Sequence, residues 1–178
     1  MAGSATGCFS EEPPAIALTN VVYELAARAT VAEQFRAEPE SRSATIAEVV
    51  RLRPSASAAL RKLTEPLQVD GHVLPSGSVV AAPSLLLHRD PEAFPEPDAF
   101  RADRFASGVP DNAPDFPFGG GARRCLGEHL AKAEFGAVLP VVLARRRFTR
   151  VWPREERMVV RATVLVPYRS ALVTADVR

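Results

Sequence analysis

The stretch Phe118-Gly-Gly-Gly-Ala-Arg-Arg-Cys-Leu-Gly127 is the most informative part of this sequence. Its consecutive glycines permit a tight or left-handed backbone that side chains would forbid. Cys125 directly precedes a segment whose spacing of apolar residues predicts a helix. The thiol therefore lies at a helix N-terminus, where free N–H groups and the helix dipole favour the thiolate, the form that acts as nucleophile or metal ligand. The predicted apolar stripe of that helix is Leu126, Leu130, Ala133, Ala137 and Val141.

Three interpretations of this loop are open on residue chemistry alone. The simplest is a buried cysteine at a glycine-rich turn. The second is a phosphate-binding module over residues 119–124, although both the GxGxxG and Walker spacings are absent and no apolar strand precedes the loop. The third is a single axial thiolate ligand to haem iron, shielded by Phe118 and closely approached at Gly121 and Gly127.

Composition narrows the class of protein. The chain has 178 residues, a formal net charge of +1 and 24% charged residues, which predicts one soluble domain and argues against nucleic-acid binding. The two cysteines, Cys8 and Cys125, do not form a disulfide framework, so a reducing compartment is expected. The sequence shows neither a signal-peptide pattern nor an apolar run of membrane-spanning length, so we expect a cytoplasmic protein without membrane contact.

Helical periodicity appears before and after the loop. Amphipathic patterns predict helices over residues 15–28 and 31–37. Thr45-Ile-Ala-Glu48 resembles a capping box that opens a third helix ending before Pro54. The helix after Cys125 should reach about Arg146, with a kink or an early end at Pro140.

Short β-segments lie between and after these helices. Leu67–Val69 and His72–Leu74 flank Asp70-Gly71, which predicts a two-residue hairpin, and residues 78–81 should add a third strand to form a meander. β-Branched segments predict further strands at 158–167 and 171–173. The fold class predicted from the sequence is α+β, mainly α, with small antiparallel sheets.

The loop Phe118-x-x-Gly121-x-Arg123-x-Cys125-x-Gly127 resembles the haem-binding loop of the cytochrome P450 family. Glu48 and Arg51 are similar to the family's Glu-x-x-Arg pair, although from spacing alone Glu48 is simply the capping partner of Thr45. Phe100-Arg-Ala-Asp-Arg104-Phe105 resembles the segment that supplies an arginine to that pair, with alanine at the usual proline position. The resemblance implies a buried triad of Glu48, Arg51 and Arg104.

The resemblance also implies a fold and an activity. Residues 15–178 would form the C-terminal, haem-anchoring part of the cytochrome P450 fold, preceded by a disordered or loose segment over 1–14. The expected function is that of a haem-thiolate monooxygenase, which inserts one oxygen atom from O2 into a small organic substrate. The cofactor would be haem b, and electrons would come from a ferredoxin or a flavoprotein reductase.

Individual roles follow from the same resemblance. Cys125 would bind the iron, while Arg123 and Arg61, the latter expected ahead of the first strand, would pair with the haem propionates. The remaining cofactor-binding positions are Phe118, Gly121 and Gly127, and the candidate substrate contacts are Ser57, Ala58 and Ala59. Three histidines compete as iron ligands on chemistry alone: His72, His88 and His129. His129 is the nearest rival because it lies one helical turn beyond Cys125, whereas His88 is expected to have a structural hydrogen-bonding role.

One departure from the family pattern supports an alternative function. Glu12 aligns with the acid of the family's acid-threonine pair, and Pro13-Pro14 replaces the threonines, so no hydroxyl is present there for proton delivery. The alternative is a non-catalytic haem-binding or structural remnant that lacks the distal half of the fold. Helices without that half should expose apolar faces, which predicts self-association or binding of a hydrophobic dye.

Overall fold

The computed structural model describes residues 12–113 and 117–177. In these residues the helices are α1 (Glu12–Ala26), α2 (Ala29–Ala37), α3 (Arg42–Leu52), α4 (Ser84–Leu87) and α5 (Glu128–Arg145). The strands are β1 (Ala58–Lys62), β2 (Leu67–Val69), β3 (His72–Leu74), β4 (Val79–Pro83), β5 (Arg146–Arg150), β6 (Met158–Arg161), β7 (Val164–Pro167) and β8 (Val173–Val177). The predicted fold class, mainly helical with small antiparallel sheets, is confirmed.

The first helix begins earlier than the sequence predicted. Most of the expected loose segment, residues 1–11, lies outside the described residues, but α1 already includes Glu12. Pro13 and Pro14 occupy its first turn, where a missing N–H costs no helical hydrogen bond. Among the described residues, no helix combines the length and apolarity needed to cross a membrane.

The strands form antiparallel pairs: β1 with β4, β2 with β3, β5 with β8, and β6 with β7. Asp70 and Gly71 have φ angles of 46° and 76°, so the predicted two-residue turn of the β2–β3 hairpin is confirmed. The β-branched segment at 158–167 forms the β6–β7 hairpin. The predicted strand at 171–173 is instead centred further along, in β8, which pairs with the unpredicted β5.

The predicted three-stranded meander is wrong. After β3 the chain turns back to an upstream segment. There the Gly77 N–H donates to the Leu63 carbonyl at 2.8 Å, and the Leu63 N–H donates to the Ser78 carbonyl at 2.8 Å. Strand β4 consequently pairs with β1 rather than with β3. Arg61 therefore lies within β1 and not ahead of the first strand. Arg61 and Lys62 are both charged, so β1 lacks the alternation of apolar and polar residues that would predict a strand.

The main core lies where α1, α2, α3 and α5 meet. Its fully buried members include Val21, Phe35, Val49 and Leu139, each at most 1% exposed. Helix α5 continues through Pro140 to Arg145, so the expected early end at the proline is wrong.

The face of α5 that packs into this core is not the predicted one. Ala131, Phe135, Leu139 and Leu143 are buried, whereas all five residues of the predicted stripe are exposed, Leu126 at 90% and Leu130 at 58%. Helix α5 is apolar on two faces, and periodicity alone does not indicate which of them meets α1 and α2.

The exposed apolar face of α5 gives the first testable prediction. Replacing Leu130 and Val141, which are 58% and 52% exposed, by lysine should reduce self-association and hydrophobic-dye fluorescence. The free energy of unfolding should change by only about 0.5 kcal/mol, because neither side chain is in the core. Light scattering, dye titration and chemical unfolding measure the three effects. A wild-type chain that is monomeric and binds no dye would contradict the prediction.

Candidate functional site

The glycine-rich loop turns back on itself immediately before α5. Gly119 and Gly121 have φ angles of +70° and +60°, which places both in the left-handed region that favours glycine. A 3₁₀ turn spans Gly121–Arg123, and the Cys125 N–H then donates to the carbonyl of Phe118 at 2.9 Å. The Cys125 thiol is exposed at the end of this closed loop.

A carboxylate in the first turn of α5 connects, through its two cationic partners, to the beginning of the loop. Glu128 accepts hydrogen bonds from Arg124 Nε at 2.6 Å and Nη2 at 2.9 Å, and from Lys132 Nζ at 2.6 Å. Bonds from Arg124 and Lys132 lower the pKa of Glu128 to about 2. Arg124 Nη1 also donates to the Gly119 carbonyl at 3.2 Å. The Lys132 ammonium lies 5.6 Å from the centroid of the Phe118 ring.

The structure places the other predicted cofactor-binding residues as follows. Phe118 is half-buried and packs against the main core. Gly127 immediately precedes α5, and a Cβ built there would lie 3.8 Å from Cys125 Sγ. Arg123 and Arg61 are both exposed, and Arg61 Nη1 donates to its neighbour's carbonyl, Leu60 O, at 2.8 Å.

The three histidines occupy different environments. His129 is exposed on α5 and His72 is exposed in β3, whereas His88 is buried at 5% exposure. The backbone carbonyl of His88 accepts a hydrogen bond from Arg51 Nη1 at 2.8 Å.

Glu48, Arg51 and Arg104 converge in three dimensions. Arg51 Nε and Nη2 lie 2.7 and 2.9 Å from the two carboxylate oxygens of Glu48, and both side chains are 0% exposed. Arg104 Nε lies 3.4 Å from Glu48 Oε1. The predicted capping box is wrong, because α3 begins at Arg42 and Thr45 is inside it. The Glu48 carboxylate is therefore used for tertiary pairing rather than for capping.

The pair also anchors the segment that leads to Arg104. Besides its bond to His88, Arg51 donates to the carbonyls of Pro97 at 2.6 Å and Ala99 at 3.2 Å. The Arg101 N–H donates to Glu48 Oε1 at 2.7 Å. These bonds stabilise an irregular segment without helix or strand partners, because its carbonyls are satisfied by a buried charge.

The burial of His88 predicts a pH dependence of stability. Burial, followed by the charge of Arg51, lowers the pKa of His88 from 6.5 to about 4. The unfolded chain takes up this proton near pH 6.5 while the folded chain does not, so stability falls as pH decreases between these values. Between pH 7.5 and pH 5 the expected loss from this residue is about 2 kcal/mol.

A His88→Gln variant isolates that contribution. Between pH 7.5 and pH 5 the free energy of unfolding of this variant should fall by about 2 kcal/mol less than that of the wild type. The lowered pKa of Glu128, about 2, keeps that carboxylate ionised throughout the interval. Denaturant titrations at both pH values measure the difference, and equal changes in the two proteins would contradict the assignment.

The candidate substrate residues lie at the start of β1. Ala58 pairs with Pro83 and Ala59 with Ala82 across the β1–β4 sheet. Ser57 Oγ donates to the Thr163 carbonyl at 3.0 Å, which joins this segment to the turn of the β6–β7 hairpin. The three residues therefore line the junction of two small sheets.

Sequence reasoning missed a second buried charge cluster, centred on Glu24 of α1. Its carboxylate is 1% exposed, lies 2.9 Å from Arg150 Nη2 and 3.4 Å from Arg53 Nη1, and pairs with Arg28. The guanidinium groups of Arg53 and Arg150 lie 4.9 and 4.0 Å from the ring centroid of Tyr23. The available signal was an acid at helical spacing with Ala17 and Val21, on the face that packs into the core.

Comparison with known proteins is consistent with these motifs. The sequence profile of the family described as "Cytochrome P450" matches residues 15–168 of this chain. A "Putative cytochrome P450 137" of Mycobacterium tuberculosis is 35% identical over 131 residues, which cover 74% of this chain and 28% of that protein. A "Putative cytochrome P450 138" of Mycobacterium bovis is 39% identical over 111 residues, or 62% of this chain and 25% of that protein.

A solved structure agrees with the sequence comparison. "Retinoic acid bound cyanobacterial CYP120A1" superposes with a TM-score of 0.82 at 25% sequence identity, covering 94% of this chain and 43% of that one. The fold and the matched profile define the class of protein, and the chain belongs to the cytochrome P450 family. It spans 28% of the length of the mycobacterial relative with 35% identity.

The residues at the loop fit a haem iron. Haem brings four equatorial nitrogen ligands, so the protein needs to supply only an axial donor. Here the donor is one exposed thiol three residues before α5, beside glycines whose missing side chains leave open space around Gly119 and Gly121. The donor set and its surroundings therefore suit a flat macrocycle with a single sulfur ligand.

Proposed function

We propose that this chain forms the thiolate side of a haem monooxygenase that inserts one oxygen atom from O2 into a small organic substrate. The observation that carries the proposal is Cys125, exposed three residues before α5 on a loop that is closed by its N–H bond to Phe118. Haem b, when bound, supplies the dioxygen chemistry. Cys125 would hold it as a thiolate, which the free N–H groups in the first turn of α5 stabilise.

The other residues would orient the cofactor and the substrate. The exposed guanidinium groups of Arg123 and Arg61 would form charge-assisted hydrogen bonds with the two propionates. Phe118 would shield the thiolate from water, and the buried charges around Glu48 would keep the 88–105 segment fixed against α3. Ser57, Ala58 and Ala59 would contact the substrate.

The proposed setting of the reaction follows from the family. Electrons would come from a ferredoxin or a flavoprotein reductase, and the protein would act in the cytoplasm. Cys125 needs a compartment in which a free thiol stays reduced.

One observation favours a second function, a non-catalytic haem-binding or structural remnant. Pro13 and Pro14 lie in the first turn of α1, where the family pattern calls for threonines, and proline offers no hydroxyl to a proton relay. Substituting Thr at both positions and assaying product formation distinguishes the two. Turnover by the wild-type chain supports the monooxygenase. Haem binding with no turnover by the wild type supports the remnant, and turnover gained only in the Thr variant assigns that loss to the two prolines.

A haem titration of the full chain tests the proposal. Absorbance in the Soret region should rise to an equimolar endpoint. Arg123→Gln and Arg61→Gln should each weaken binding by about tenfold, because each removes a charge-assisted bond. Arg147→Gln, at an exposed position in β5, is the control and should bind as tightly as the wild type. Absence of saturable binding would contradict the proposal.

A further inference from the structure

Glu128 occupies an unusual position among the charges near Cys125. Its side chain is only 8% exposed, whereas the side chains of its two cationic partners, Arg124 and Lys132, are 49% and 59% exposed. An isolated ion pair on a surface contributes little to stability. A nearly buried carboxylate with three hydrogen bonds of 2.6, 2.9 and 2.6 Å differs from such a pair, since its geometry is fixed and partly desolvated.

Each cationic partner of Glu128 contacts a different residue at the beginning of the loop. Arg124 Nη1 donates to the carbonyl of Gly119, the first of the three glycines. Lys132 lies over the ring of Phe118, and the backbone carbonyl of Phe118 accepts the hydrogen bond from the Cys125 N–H. The carboxylate therefore connects the first turn of α5 to the beginning of the loop that carries the thiol.

The glycines explain why such a connection is needed. Three consecutive glycines lose more conformational freedom on ordering than any other residues, so a loop containing them is poorly fixed by its own backbone. Two backbone hydrogen bonds restrain the loop, from the Cys125 N–H to the Phe118 carbonyl and from the Arg124 N–H to the Gly121 carbonyl at 3.2 Å. Arg124 and Lys132 add two restraints, and both depend on the charge of Glu128.

We propose that Glu128 is a positioning residue that holds the Cys125 loop in its ligating conformation through Arg124 and Lys132. The inference rests on the proposed function, because it concerns the sulfur that would bind the iron. Glu128 does not touch that sulfur and acts only through its two cations. Residues one step removed from a metal ligand typically change metal affinity or activity by about 10–100-fold when replaced.

The first experiment measures the loop in the chain without haem. Amide hydrogen exchange at Cys125 should be at least about tenfold faster in Glu128→Gln than in the wild type, because the restraints that protect this N–H are lost. Glu134→Gln is the matched control on the same helix, and its exchange should equal that of the wild type. Lys132→Ala, at a largely exposed position, removes one branch without risk to folding and should give an intermediate rate.

The second experiment measures the ligand in the haem-loaded protein. In Glu128→Gln the carbon monoxide complex of the reduced protein should convert from the red-shifted Soret band of thiolate ligation to a globin-like band at least about tenfold faster than in the wild type. Glu134→Gln should convert at the wild-type rate. A purely structural role for Glu128 would change stability without changing this rate of conversion.

The outcomes separate the inference from the proposed function. Exchange at Cys125 that is the same in Glu128→Gln and Glu134→Gln overturns the positioning role, whatever the spectra show. Faster exchange in Glu128→Gln together with faster conversion supports it, and faster exchange with unchanged conversion overturns it. A wild type that never shows the red-shifted band contradicts the proposed function and, with it, the ligating role given to the loop.

Discussion

Glu48→Gln should lower the free energy of unfolding by about 3–5 kcal/mol, because it leaves the guanidinium of Arg51 buried without its counter-charge. Arg51 is 0% exposed, so water cannot replace the missing carboxylate. The same substitution weakens the hold on Arg104 and on the Arg101 N–H, which loosens the 88–105 segment. A domain of this size is stable by only about 5–15 kcal/mol, so part of the variant should be unfolded under mild conditions.

The chain offers a control with the same chemistry and different burial. Glu33 and Arg36 of α2 also form a pair at i,i+3 spacing, 2.6 Å apart, but the Glu33 side chain is 53% exposed. Glu33→Gln should cost less than about 1 kcal/mol, since an exposed ion pair adds little. Chemical unfolding of the two variants side by side measures the difference, and equal losses would contradict the account of the triad.

The sequence predicted best where a feature depends on local chemistry or on a specific motif. The turn at Asp70-Gly71 follows from residues that tolerate positive φ, as observed. The meeting of Glu48, Arg51 and Arg104, residues far apart in the chain, was predicted only through a resemblance to known proteins. Spacing alone favoured a capping role for Glu48, and that was wrong.

What the sequence did not predict depends on tertiary contacts. Helix α5 has two apolar faces, and its contacts with α1 and α2 select Phe135 and Leu139 rather than Leu130 for the core. Strand β1 carries Arg61 and Lys62, so its pairing with β4 becomes visible only when the chain folds back at Gly77. The ion-pair network of Glu128 was missed because its partners at i±4 resemble an ordinary solvated helix face.

Cys125→Ser should abolish thiolate ligation of haem completely. A serine hydroxyl is not deprotonated at neutral pH and does not replace a thiolate as a soft, strongly donating ligand. The fold should survive, because the Cys125 side chain is exposed and the Cys125 N–H bond to Phe118 belongs to the backbone. Far-ultraviolet circular dichroism and the unfolding midpoint should therefore match those of the wild type.

His129→Ala is the matched control for that substitution. His129 lies four residues beyond Cys125 and is also exposed, and neutral imidazole is a common haem ligand. Its side chain projects from α5 rather than from the glycine-rich loop, where open space at Gly119 and Gly121 allows a macrocycle to approach. The variant should bind haem as the wild type does.

The carbon monoxide complex of the reduced, haem-loaded chain tests the central claim most directly, because the position of its Soret band reports the axial ligand. The wild type and His129→Ala should both give the strongly red-shifted band of thiolate ligation, and Cys125→Ser should give none. A globin-like band in the wild type, or a red-shifted band that survives in Cys125→Ser, would contradict the assignment of Cys125 as the iron ligand.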